Sequence, residues 1–371
     1  MTALEDGNNY NNKYLDITLA VFLFTAAGYL GTNVFVYPIV ILYILIKIVR
    51  VKFSYFSLII SLIIIYYSSV KLVSHDLAAS ILTIKYFFGF FLFYFLFDLK
   101  SNLVINFVKL GLLVSIITIA EALLVNTIIP REMWLHYPVD EFGEIGHAGL
   151  FWGVYQRPYG IGTSATVTSA LIVVLISLGD SQKLRKKKNI YEFWLPILAV
   201  LLSLSGTGIL LLAAYYLIKH FKISLALFIA FLPFILIVFS NLSLQINLFE
   251  KIAPNYILYL LEYKKIQILE EFNLANLNEI IFGINWSIDS PMPLGGDLGF
   301  LNAYNYGGVF VIIFYLFLCT FIYWRGKFTF ALNLLLLSGL HYFALFTLLG
   351  QIIFGYLLFH SIKKRNVSVY S

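Results

Sequence analysis

The chain has 371 residues, 61% of them hydrophobic, 18% aromatic and only 12% charged, with a mean hydropathy of +0.89. A soluble domain carries about a quarter charged residues to cover its surface, so a soluble enzyme, a disordered chain and a nucleic-acid-binding chain are all excluded. The single cysteine, Cys319, excludes an internal disulfide and a cysteine-based metal cage, and the net charge of +6 gains meaning only when sorted by side of a membrane.

A spanning helix takes about 20 apolar residues, and the apolar runs predict an all-α polytopic membrane protein of about twelve helices, ten or eleven if the short runs merge. In chain order they are 15–32, 33–50, 53–72, 77–98, 103–125, 161–179, 191–204, 206–219, 223–240, 300–323, 328–341 and 344–361. Pro38 and Pro196 fall near span ends, where a helix tolerates them best. The first fourteen residues are Asn-rich and hold Glu5 and Asp6 instead of a basic stretch, so no cleavable signal is evident. Residues 1–371 read as one membrane domain with two large loops, 126–160 and 241–299. Both loops contain tryptophans and prolines with short apolar stretches and read as ordered. A helix over 257–272 in the second would gather Ile257, Leu261, Ile268 and Phe272 on one face, as a helix resting on a membrane or capping a cavity does.

Most of the 25 basic residues fall in alternate connections: Lys47, Arg50 and Lys52, then Lys183 to Lys188, then Arg325 and Lys327, then Lys363, Lys364 and Arg365. The positive-inside rule places those connections and both termini in the cytoplasm. Both large loops then lie outside, with an acidic majority that includes Asp140, Glu141, Glu144, Glu270, Glu271, Asp289 and Asp297.

No phosphate loop G-x-x-x-x-G-K-[ST], no H-E-x-x-H and no G-x-S-x-G is present. The external histidines are not at ligand spacings, so neither a metal nor another cofactor is expected. Three external segments carry the chemistry. In QRPYGIGTSATVTSAL, residues 156–171, Arg157 precedes Gly160, Gly162 and Ser164 at a helix start. A forked cation beside free N–H groups is an anion site, unless the arginine pairs with lipid phosphate or with Glu144. In residues 282–308 the glycines Gly295, Gly296 and Gly299 surround Asp297, which either faces a ligand or caps the tenth span. His341, between the last two spans, is an acid/base candidate or a plain interfacial histidine. Inside the membrane only Lys85 and Glu121 are plainly charged. Lying roughly 12 Å and 6 Å from the outer ends of consecutive spans, they either pair with each other or Lys85 reaches the substrate.

The twelve spans, the R-P-x-G ending the first loop, the G-G-D-x-G-F-L ending the second, H-Y in the last loop and the small-residue turn in LSLSGTGILLL at 202–212 together resemble the O-antigen polymerase/O-antigen ligase superfamily. Many relatives have an arginine in that last turn, where this chain reads Ser205, Gly206 and Thr207. The resemblance implies a GT-C-like glycosyltransferase of the bacterial cytoplasmic membrane, working on its outer face without metal or cofactor. Donor and acceptor would be undecaprenyl-pyrophosphate-linked glycans, with a chain-length regulator protein as a partner. It implies Arg157, with Gly160, at the leaving pyrophosphate, and Lys264 or Lys265 where relatives often carry an arginine. His341 would act as base or phosphate partner and Asp297 would orient the acceptor, with Glu141 and Glu144 as weaker alternatives. The compact second loop favours a polymerase over a ligase that moves finished glycan to lipid A-core. From a different class, a lipid-linked oligosaccharide flippase or secondary transporter would need polar residues along many spans, which this chain lacks.

Overall fold

A computed structural model describes residues 17–26, 33–47, 55–74, 77–99, 104–128, 150–151, 155–162, 164–182, 190–221, 277–283, 299–325, 328–340 and 343–367. The protein is helical in almost all of them. The helices are α1 (Ile17–Ala26), α2 (Asn33–Lys47), α3 (Tyr55–Ser74), α4 (Leu77–Leu99), α5 (Phe107–Thr127), α6 (Ala165–Ser181), α7 (Ile190–Leu202) and α8 (Gly206–Phe221). They continue with a short α9 (Leu277–Phe282), then α10 (Gly299–Arg325), α11 (Thr329–Leu337) and α12 (Leu348–Val367). Two single-turn 3-10 segments, Ser338–Leu340 and Ala344–Phe346, lie between α11 and α12. The strands β1 (Leu150–Phe151) and β2 (Tyr155–Gln156) form a two-residue antiparallel ladder with Leu150 opposite Gln156.

Stretches within α3, α4, α5 and α10 are long and apolar enough to cross a membrane, and six shorter apolar helices accompany them. The chain is an all-α, multi-pass membrane protein by that measure. A helix stands on each expected span among the described residues; the ninth run, 223–240, and the 257–272 helix lie outside them.

Side-chain contacts set the directions. Ser80 of α4 reaches the Lys71 carbonyl of α3, and Ser57 of α3 meets Tyr94 of α4, so these two run antiparallel. Tyr37 of α2 meets Gly89 and Phe93 of α4, while Phe90 and Phe97 of α4 pack edge-on against Phe354 and Tyr356 of α12, so α4 and α12 run parallel. Ser205 meets Thr166, and Tyr215 and Lys219 meet Asp180, so α6 and α8 are parallel too. The helix α6, buried from Ala165 to Gly179, runs through the centre against α5, α7, α8 and α11. In lipid, helices associate through close packing and hydrogen bonds more than by exclusion of water. Gln351 supplies such a node. Its Nε2 donates to the Lys85 and Tyr86 carbonyls, each at 3.0 Å, and to that of Phe346 at 3.1 Å, while its Oε1 accepts from the Tyr37 hydroxyl. A side chain on Gly89 would fill the space Gln351 occupies.

α10 is broken at Gly308, whose φ of 69° is a left-handed conformation that only glycine adopts cheaply. The break lets the end of α9 lie directly on the α10 backbone, where any Cβ on Gly308 would collide with the Ile281 carbonyl. α3 seals this joint: Tyr67 donates to the Phe282 carbonyl at 3.3 Å, and buried Lys71 donates to that of Gly283 at 3.2 Å. A cation on the last carbonyls of a helix is the expected sign.

Candidate functional site

The R-P-Y-G segment is held as a turn between α5 and α6. Asn126, near the end of α5, accepts from the Gln156 N–H at 2.8 Å and donates to the Gln156 carbonyl at 2.9 Å. One turn earlier, the Glu121 carboxylate accepts from the Tyr159 N–H at 2.8 Å and the Gly160 N–H at 2.7 Å. From α6, the Thr168 hydroxyl donates to the Tyr159 carbonyl and accepts from the Gly162 N–H at 2.8 Å. Gly160 has a φ of 60°, and a Cβ there would collide with Thr168. Two helices thus grip residues 156 and 159–162, and half-buried Arg157 stands between the grips.

Ser164 then caps α6 by accepting from the Val167 N–H at 3.2 Å. This cap and the preceding turn explain why α6 begins at Ala165 and not at the expected residue 161. Burial holds the Tyr155 phenol above the usual tyrosine range, with the Glu121 charge adding to it. Tyr159 is raised mainly by burial too; Arg157 opposes the rise and Glu121 adds to it. Both phenols are therefore neutral donors at physiological pH. The hydroxyl of Tyr155 is committed to the Leu202 carbonyl at the end of α7, 2.8 Å away.

Two further expected segments are described in part. The Ser205–Gly208 turn starts α8 beside the first turn of α6, with Ser205 capping the Gly208 N–H. Gly299, where α10 starts, packs against the Gly339 carbonyl and the Phe343 backbone, and the rings of Phe300 and Phe343 meet edge-on at 4.7 Å. These residues flank Asp297 and His341, which themselves lie outside the described residues, as do Lys264, Lys265, Glu141 and Glu144. The Ala344–Phe346 segment packs against α6, so the Arg157 turn and the segment following His341 rest on one strut.

The expected pairing of Lys85 with Glu121 is not formed. α4 packs against α2, α3, α10 and α12, whereas α5 packs against α6 and α7, because a short connection does not oblige its helices to be neighbours. Glu121 is committed to the R-P-Y-G backbone, and the Lys85 ammonium lies 5.2 Å from the Tyr37 ring centroid and 5.5 Å from that of Tyr86. Asn126, Thr168, Gln351 and buried Lys71 do structural work that patterns of external charge did not single out. Their signal was present for Gln351 and Lys71, polar groups inside apolar runs.

Compared with known proteins, the chain matches no family model, and neither a curated protein nor a solved structure is significantly similar to it.

Proposed function

We propose that the chain is a polymerase that joins undecaprenyl-pyrophosphate-linked oligosaccharide repeats into O-antigen, capsular or exopolysaccharide. It would lie in the bacterial cytoplasmic membrane with twelve spans, both termini inside and the Arg157 face outside, as its basic connections favour. The observation that carries the reading is the doubly gripped Arg157 turn at the start of α6. The Gly299–Phe343 contact, which joins the flanks of the two other motifs, supports it.

In the proposed reaction an acceptor sugar hydroxyl attacks the donor anomeric carbon. The new C–O bond forms as the bond from that carbon to the pyrophosphate oxygen breaks, and the electron pair leaves with the lipid pyrophosphate. Negative charge grows on the departing group, and a guanidinium fixed in advance lowers that barrier without reorganising. His341 or Asp297 takes the hydroxyl proton. Arg157→Ala should abolish polymer at unchanged membrane protein level, a loss on the order of 10²–10³ in rate. Arg157→Lys should restore it in part, since a point charge replaces a fork. Full-length polymer in the alanine variant, read on a glycan ladder gel, would overturn the assignment.

A further inference from the structure

The short α9 ends as a wedge between the two halves of α10. Its Ile281 carbonyl lies against Gly308 at the break, and Gly283, just beyond its end with a φ of 84°, lies against the Asn305 and Tyr306 carbonyls of the first half. The second half is fixed separately on α3, where Tyr67 stacks on Phe310 at 5.3 Å and Phe56 on Phe321 at 4.9 Å. A straight helix of the 27 residues from Gly299 to Arg325 would be about 40 Å long. Gly299 nevertheless packs on Gly339 and Phe343, just past the nine-residue α11, which is only about 14 Å long. The break therefore turns residues 299–307 back toward the end of α11, and the wedge at Gly308 sets the angle.

Packing alone gives little hold on the wedge. None of the six residues of α9 is buried, and elements with few buried contacts are the first to open. Two hydrogen bonds from α3 fix its end, Tyr67 to the Phe282 carbonyl and the Lys71 ammonium to that of Gly283. Lys71 is 1% exposed, and its bond is the stronger, charge-assisted one. We infer that Lys71 is a positioning residue of the proposed site. By holding the end of α9 in the α10 break, it sets the angle of residues 299–307 and so the seating of Gly299 on Gly339 and Phe343, the flanks of the Asp297 and His341 motifs. Lys71 acts through α9 and α10, not on the substrate. Its part in catalysis rests on the reaction proposed above, whereas its hold on α10 does not.

The test reads angle and turnover separately. With Cys319→Ser to leave no native thiol, spin labels replace Phe300 and Trp324, 41% and 84% exposed, and pulsed EPR measures their separation in detergent. A straight α10 would put those positions about 36 Å apart, so the labelled reference should give one shorter, narrow distance; the straight-helix value would overturn the inference. Lys71→Met should move or broaden that distance. Turnover is measured without labels, on the lipid-linked repeat that accumulates in a host strain lacking the protein. Lys71→Met should lower kcat about 10²-fold, the scale of a misplacement of about 1 Å, with KM little changed because the Arg157 turn stays gripped by α5 and α6. A merely structural lysine would reduce the amount of folded protein and leave kcat per folded molecule unchanged, which would overturn the role in the site. Gly283→Ala keeps the ammonium but sets a Cβ against the Tyr306 carbonyl, so it should move the distance and lower kcat likewise, and it decides the matter should Lys71→Met fail to fold. An unchanged distance in either variant overturns the inference whatever the polymer does. No turnover by the wild-type protein on that substrate would sink the proposed reaction and the part of Lys71 in it, while the distances still show whether Lys71 holds α10.

Discussion

Replacing Glu121 by alanine tests whether the Arg157 turn is held from beneath by the α5 carboxylate. Glu121 is only 3% exposed, and its two oxygens accept from two consecutive N–H groups at 2.8 and 2.7 Å. A hydrogen bond to a charged group contributes about 1.5–3 kcal/mol, so alanine removes at most about 3–6 kcal/mol from this one turn. It also leaves two buried N–H donors unpaired. Glu121→Gln keeps one acceptor but sets an amide N–H against a backbone N–H, so it should cost about half as much. The assay is the melting temperature of the purified protein, read together with glycan chain length. In the proposed reaction Glu121 would be a positioning residue, and displacement of a reacting group by about 1 Å can cost 10²-fold in rate. Polymer should therefore fall in Glu121→Gln even at a temperature where the protein stays folded. The pairing alternative makes the opposite forecast for the double variant. Were Lys85 the partner, adding Lys85→Met to Glu121→Gln would restore stability; with the backbone as partner it will not. Wild-type melting in Glu121→Ala, or rescue by Lys85→Met, would refute the geometry.

The proposed polymerising activity of the purified protein should persist in excess EDTA, because in that reaction protein cations meet the leaving pyrophosphate; loss on chelation with recovery in Mg²⁺ would contradict this. Gln351→Leu should destabilise by about 1–3 kcal/mol by leaving the buried Tyr37 hydroxyl without its acceptor, and a melting curve should show partial recovery when Tyr37→Phe is added. Gly308→Ala should cost at least about 1 kcal/mol for the left-handed backbone alone. Its melting temperature should fall further because the Ile281 carbonyl must move aside, and an unchanged value would show that α10 has no such break.

The helices and their order were legible because spanning runs depend on composition alone: a length of chain must bury every backbone polar group, and apolar residues over about 20 positions announce where. Neighbour relations were not. Chain adjacency pointed to α4 beside α5, but α4 is phenylalanine-rich with one glycine at position 89, and that notch is complementary to Gln351 of α12, distant in sequence. Complementarity of that kind belongs to pairs of helices, and no single run displays it. The Arg157 segment was legible as a cation before a helix start. Its grip was less so, since Asn126 and Thr168 read as ordinary residues of α5 and α6 until the turn is seen folded between them. Glu121 is conspicuous as a charge in a span, and Lys85 is the one side chain of opposite sign plainly inside another. The backbone of a turn thirty-eight residues later offers two donors and needs no side chain at all.

That grip also bears on how a chain of this composition holds a cation ready for use. An arginine on a free loop must be ordered each time it meets an anion, and the entropy of ordering offsets much of the contact. Here the ordering is already done by groups that do not need to touch a substrate: an amide on one side, a carboxylate beneath, a hydroxyl from the next helix. Rigid helices thereby place the turn, the turn places Arg157, and α6 links that placement to the Ala344–Phe346 segment that follows the His341 position. Preorganised sites built on scaffold elements in this way keep their geometry better than sites on loops.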